Sequence, residues 1–191
     1  FQAVDGLMEA PAGAFAGGNA VGYTVSRDAN HAFTLVNRLL ADGHTVHSVE
    51  ADGSFFIPAG GGADEALEAL AAELGIDVAG ASAAPTGAQL ELRAPRIALW
   101  DRYGGSMPSG WIRFILEQYD FDFEVVFPPQ FDEGNLIDQY DVIILPDGAV
   151  PAFGGATRGG YGGGRGPNVE QVTDEFRDRV GSISAETTVP Q

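Results

Sequence analysis

His47-Ser-Val-Glu50 is the pairing in this sequence that comes nearest to a metal or acid–base motif. A His and a Glu three residues apart share a zinc ion readily on a helix or turn. The local stretch Thr45-Val-His-Ser-Val49, however, has the β-branched character of a strand, and on a strand residues three apart point to opposite faces. The other two histidines, His31 and His44, both lie upstream, so no third ligand follows. Cysteine is absent, which removes thiolate nucleophiles, disulfides and cysteine metal sites together. No serine sits in a Gly-x-Ser-x-Gly elbow. The reading is a chain with no metal, no cofactor and no catalytic residue of its own.

Asp101-Arg-Tyr-Gly-Gly-Ser-Met-Pro-Ser109 falls between an apolar strand and a helical stretch, where an α/β protein binds its ligand. Asp101, Arg102 and Tyr103 are the candidates for a vestigial pocket or partner contact there, with Asp147 after the last strand. Ser109 is read as the helix N-cap, beside Pro108. Asp120, Asp122 and Glu124 alternate along one face at the start of a strand. A solvated edge is the expected role, with weak binding of a hard cation as the alternative.

The glycine-rich run at 153–167 invites a phosphate-loop reading, since exposed amides cradle anions. It matches no P-loop spacing, and a lysine-free chain has no P-loop lysine. A loop that orders against a partner fits better, with Arg158, Tyr161 and Arg165 as its adhesive side chains.

The elements that must position these residues follow from periodicity. Val21–Val25 reads as a strand, and Phe33, Val36, Leu39 and Leu40 recur at helical spacing over 31–41, capped by Asp28 or Asn30 and ended by Gly43. A hairpin follows, 45–49 to 54–57 through Asp52-Gly53, then a helix over 64–74 and an extra strand or connector at 89–92. Arg96–Asp101, Phe123–Phe127 and Asp141–Pro146 are strands separated by a helix over 107–119 and a second helical connection, which predicts a parallel sheet. Parallel strands are covered on both faces, so Ile97, Leu99, Trp100, Val125, Val126, Val142, Ile143 and Ile144 should form its core. Residues 168–179 resume helical character. The domains are then a linker or extended arm at 1–19, a small α/β unit at 20–94, and a larger α/β unit at 95–191.

The chain has 191 residues and a formal charge of −17, and its ten cationic side chains are all arginine. That balance excludes a general nucleic-acid binder, because phosphate contacts need clustered cations. No apolar run is long enough to span a membrane. The start at Phe1 and the ending Thr188-Val-Pro-Gln191 read as cut ends of a longer precursor, with the second unit truncated.

The segment from Arg96 to Tyr119, together with Asp141-Val-Ile-Ile-Leu-Pro-Asp-Gly148, resembles the post-catalytic region of bacterial M14-family zinc carboxypeptidase-like proteins. Asn37-Arg-Leu-Leu-Ala-Asp-Gly43 and Gly53-Ser-Phe-Phe-Ile-Pro58 carry the same resemblance. It implies a flavodoxin-like or class I glutamine-amidotransferase-like fold for the second unit and a periplasmic or otherwise extracytoplasmic setting. The peptidase ligands belong to a domain outside this chain, and the amidotransferase cysteine has no counterpart here. The expected role is a non-catalytic scaffolding domain whose partners are a parent peptidase domain or subunits of a larger complex, as an extrinsic subunit at a membrane. The alternative is a fragment of an enzyme whose active site lies outside the chain.

Overall fold

The computed structural model describes residues 5–7, 10–150 and 169–183. The chain divides into two compact units, Phe1–Ala94 and Pro95–Gln191.

In the first unit a short strand β1 (Phe15–Ala16) precedes β2 (Gly22–Val25), α1 (His31–Ala41), β3 (His47–Val49), β4 (Phe55–Pro58), α2 (Ala63–Leu74), β5 (Val78–Ala81) and β6 (Gln89–Glu91). The six strands form one sheet in the order β1-β5-β2-β4-β3-β6. Only β1 and β5 run parallel; every other neighbouring pair is antiparallel. From β2 to β5 the succession is the split β-α-β arrangement, in which each helix carries the chain across one intervening strand, α1 across β4 and α2 across β2. Alternation decides which face takes the helices. Tyr23, Val25, Phe55, Ile57 and Val78 point to one side and pack there with Leu35, Leu39 and Leu67, all three fully buried. On the opposite side the Phe56 ring lies across Gly22, where a Cβ would stand 2.4 Å from Phe56 Cζ.

The β3–β4 hairpin closes as the sequence predicts. Gly53 takes a φ of 72°, and the Asp52 carboxylate accepts from the Ser54 N–H at 2.9 Å and its hydroxyl at 2.7 Å. Those two bonds hold the Asp52 carboxyl below its usual pKa. The start of α1 differs from expectation. Asn30 is its N-cap position but makes no side-chain cap bond. The first amides, those of Ala32 and Phe33, instead reach the carbonyls of Ala29 and Asn30 in a tight turn. Asp28 is engaged with Ser26, whose hydroxyl donates to its carboxylate at 2.8 Å.

The second unit contains β7 (Ile97–Trp100), α3 (Met107–Gln118), β8 (Phe123–Val126), the short helices α4 (Pro128–Asp132) and α5 (Leu136–Gln139), and β9 (Val142–Ile144). Its three strands are all parallel, in the order β8-β7-β9. The molecule is therefore α/β, with a mixed sheet in one unit and a separate parallel sheet in the other. Ile97, Leu99, Trp100 and Val126 are buried, as the rule of doubly covered parallel strands requires. The rest of the expected core departs from it. Val142 and Ile143 are exposed, and Val125 and Ile144 are only partly covered. The reason is position: β7 is the central strand, while β8 and β9 are edges.

Two further expectations need correction. The N-cap of α3 is Ser106, not Ser109: Ser106 is extended (φ −126°, ψ 145°), and its Oγ accepts from the Ser109 N–H. Residues 169–183 form two 3-10 turns, Val169–Gln171 and Asp174–Arg179, in place of one helix. The Val172 carbonyl between them accepts from Arg177 Nε at 3.3 Å, a bond that replaces the one a continuous helix would make.

Candidate functional site

Open parallel sheets bind ligands outside the carboxyl ends of their strands, and in the second unit a later turn of the chain packs on the loops there. Tyr103, in the loop after β7, packs its ring against Phe176 of the last 3-10 turn, with centroids 6.1 Å apart. Arg179 of the same turn lays its guanidinium over Phe127, which follows β8, at 5.4 Å, and over Phe176 at 5.0 Å. The stacking of a weakly hydrated guanidinium on two rings is an attractive contact. Thus the turn Asp174–Arg179 touches both loops at the carboxyl end of the sheet.

Asp101 is buried just past β7; its Oδ1 accepts from the Arg102 N–H at 2.8 Å. Its Oδ2 lies 3.8 Å from Nη2 of Arg113, on the inner side of α3. Arg102 folds back on its own loop, with Nε donating to the Gly105 carbonyl at 3.1 Å. Asp101, Arg102 and Tyr103 therefore do come together, but each is turned toward its own chain. Ser106 and Ser109 make a second polar knot. Ser109 donates its hydroxyl to the Trp100 carbonyl at 2.8 Å, so in the 2.6 Å contact between the two hydroxyls Ser106 must be the donor. Both hydroxyls tie β7 to α3.

A cleft of about 630 Å³ opens beside this region, lined by Arg113, Val125, Phe127, Gln130, Glu133 and Arg179. Asp178 and Pro129 complete the lining, so two cations and two carboxylates around apolar walls make a surface of mixed charge. Glu124 accepts from the Tyr140 hydroxyl at 2.7 Å. Burial, and then the neighbouring Glu124 carboxylate, push the Tyr140 pKa up to about 12. Asp120 is apart from that pair: it takes a φ of 53° at the end of α3, so the acidic triple does not line one strand face. Among the described residues no three His, Cys, Asp or Glu side chains converge as metal ligands, and His47 sits on β3 with its ring beside Phe56. Arg158, Tyr161 and Arg165 lie outside the described residues.

The feature that sequence reasoning missed is the outer face of α3. Ser109 and Leu116 are buried, with Ile112 and Arg113 partly covered on the same side. At roughly 3.6 residues per turn the opposite side must carry Met107, Trp111, Phe114, Ile115 and Gln118. Those four apolar residues are exposed, Trp111 at 63% and Met107 at 62%. Trp111 and Phe114 meet edge to face, 6.1 Å between centroids. A helix apolar on both sides is one that expects a covering on both sides. The signal was present in the sequence as an absence: the helix holds only Arg113 and Glu117 as charged residues.

Compared with known proteins, the chain matches no family model, no curated protein and no solved structure.

Proposed function

We propose that this chain is a non-catalytic accessory module that works through protein–protein contacts. The observation that carries this reading is the outward stripe Met107, Trp111, Phe114 and Ile115 on α3. Tryptophan and other aromatic residues dominate interface energetics, and a contiguous apolar stripe on an otherwise acidic chain marks a contact surface. The order β8-β7-β9 is also that of the first three strands of a flavodoxin-like sheet, which runs 2-1-3-4-5. On this reading the second unit is the opening half of such a fold, and the chain is a processed piece of an M14 peptidase-like precursor. Its setting is extracytoplasmic, as an extrinsic subunit of a membrane-associated complex. The residues at 96–119 and 141–148 carry that resemblance. No helix among the described residues is long and apolar enough to cross a membrane.

The test compares the wild-type chain with the double variant Trp111→Ser, Phe114→Ser in the source cells. The expected result is that subunits co-purifying with the wild type are lost from the variant, while its unfolding free energy changes by no more than about 0.5 kcal/mol. Unchanged co-purification, or release of a carboxyl-terminal amino acid or of ammonia from glutamine by the purified wild-type chain, overturns the reading.

A further inference from the structure

The segment that leads into the first unit is tied to it by a few specific contacts. The Ala14 N–H donates to Asp77 Oδ1 at 2.9 Å, and the Ala14 carbonyl accepts from the Val78 N–H at 2.8 Å. The Gly13 N–H reaches the Ala71 carbonyl at 3.2 Å. Phe15 and Ala16 then run parallel to Val78 and Ala79 as β1. Phe15 is the one large apolar side chain between residues 10 and 20, and its ring lies against Tyr23, 5.3 Å between centroids. It is only partly buried, and Pro11, Ala12, Ala14 and Ala16 are exposed, so little apolar area holds the segment down. What the segment covers is far better buried: Val78 is 1% exposed and Tyr23 4%. The fit is close in one place. A Cβ on Gly13 would stand 2.1 Å from the Ile76 carbonyl oxygen and 2.4 Å from that of Ala71. Behind β1 the exposed pair Gly17-Gly18 joins it to β2, with Gly18 at a φ of 129°, a conformation that glycine alone takes readily.

We infer that residues 11–16 are a releasable latch on the first unit. The segment swings away at Gly17-Gly18 while the other strands and both helices stay folded, and its position decides whether the outer edge of β5 and the Tyr23 ring are covered. The energetics place this opening well below global unfolding. A few backbone bonds, one of them to a carboxylate, and one half-buried ring oppose the conformational entropy that six residues regain on release. Chain segments with few buried contacts open sub-globally. Closed, the latch protects β5 as a covering segment protects any sheet edge. Open, it frees the Val78 N–H and an aromatic face, the groups by which an edge accepts an added strand. The latch belongs to the first unit and does not rest on the α3 stripe of the second.

Native-state hydrogen exchange on the full chain tests it. In the wild type the Val78 N–H should exchange at least about tenfold faster than the slowest amides of the β2–β4 ladder. Gly13→Ala places a methyl group where the docked segment has no room, and should speed Val78 exchange by about a further tenfold while the β2–β4 ladder keeps its rates. Phe15→Ala, which leaves the backbone untouched, should act in the same direction. The chain has no cysteine, so Ala16→Cys, Ala79→Cys, at directly paired positions, introduces one defined disulfide. Once oxidised, it should slow Val78 exchange to the rate of the β2–β4 ladder, and reduction should restore the faster rate. Three results overturn the inference, each making the segment an integral part of the sheet. They are exchange of Val78 together with the β2–β4 ladder in the wild type, acceleration of the whole ladder by Gly13→Ala, and a Val78 rate that the disulfide leaves unchanged.

Discussion

Arg96 and Asp141 clamp the entry ends of β7 and β9 through three bonds. Arg96 Nη2 meets Asp141 Oδ1 at 3.0 Å, while Nε and the Arg96 backbone N–H both donate to Oδ2, at 3.2 and 2.9 Å. Arg96 Nη1 also donates to the Asp138 carbonyl at 2.7 Å. A guanidinium presents a rigid fork of donors, so the two-pronged contact fixes register as well as charge. Half of the arginine side chain is exposed, which limits the energy.

The pair should therefore show a coupling of about 1 kcal/mol in a double-mutant cycle of Arg96→Ala and Asp141→Ala. Asp141→Ala alone should cost more than Arg96→Ala, because it also strands the Arg96 backbone amide. Urea unfolding of the four proteins measures both statements. Additive single effects would mean that β9 is held by its ladder bonds alone.

Tyr140 gives a prediction in pH. Its pKa is raised from 10.0 to about 12 by burial and by the bond it donates to Glu124. The protonated phenol is thus favoured in the folded state, and its stabilising contribution is complete below the unfolded value of 10.0. The contribution is lost as pH climbs from there toward about 12. Tyr140→Phe should remove this part of the alkaline loss of stability. Glu124→Gln should lower the Tyr140 pKa but leave it above 10.0, because burial is the larger cause. Tyrosinate absorbance, read on the single-site variants, separates Tyr140 from the other phenols.

Leu99 and Ile143 should respond very differently to truncation. Leu99 is fully buried on β7, so Leu99→Ala should cost about 2–5 kcal/mol through lost transfer and the cavity left behind. Ile143 looks equivalent in sequence, but its exposure on the edge should hold the cost of Ile143→Ala to about 1 kcal/mol or less. Equal losses in denaturant unfolding would place β9 inside a covered sheet.

That contrast also marks the limit of what the sequence tells. Local signals were legible: helical spacing placed α1 at 31–41, and Asp52-Gly53 placed the hairpin. Strand order is not written in local pattern, so Val142-Ile-Ile144 reads the same whether a fourth strand lies beside it or not. The two-residue β1 and β5, with the sequence Val-Ala-Gly-Ala, have little β-propensity of their own. They form because α2 delivers β5 to the edge that β2 offers, and β1 then pairs on β5. The polar knot after β7 reads as a loop in the sequence, but its cap is Ser106, three residues before Ser109. Ser109 has a buried alternative partner in the Trp100 carbonyl, which only the tertiary fold reveals. The ring of Phe176 at the mouth of the sheet was likewise invisible, since it depends on a contact across more than seventy positions of chain.

Phe176 supplies the last prediction. Its ring is half-buried and has two partners, Tyr103 at 6.1 Å and the Arg179 guanidinium at 5.0 Å, which also sits over Phe127. Phe176→Ala removes both ring contacts and leaves Arg179 with Phe127 alone. The stability cost should be about 1–2 kcal/mol, below the 3–5 of a fully buried phenylalanine. The local effect should be larger than the global one. The Arg102–Gly105 loop, held by its own bonds and by Tyr103 packing, should exchange its amide hydrogens faster in the variant, whereas the β7 and β8 ladder should not. Arg179→Ala should accelerate the same loop less, because the Tyr103–Phe176 contact survives it. Unchanged exchange at 101–105 in Phe176→Ala would show that the loop is held by Asp101 and Arg102 alone, and that the 3-10 turn merely rests on it.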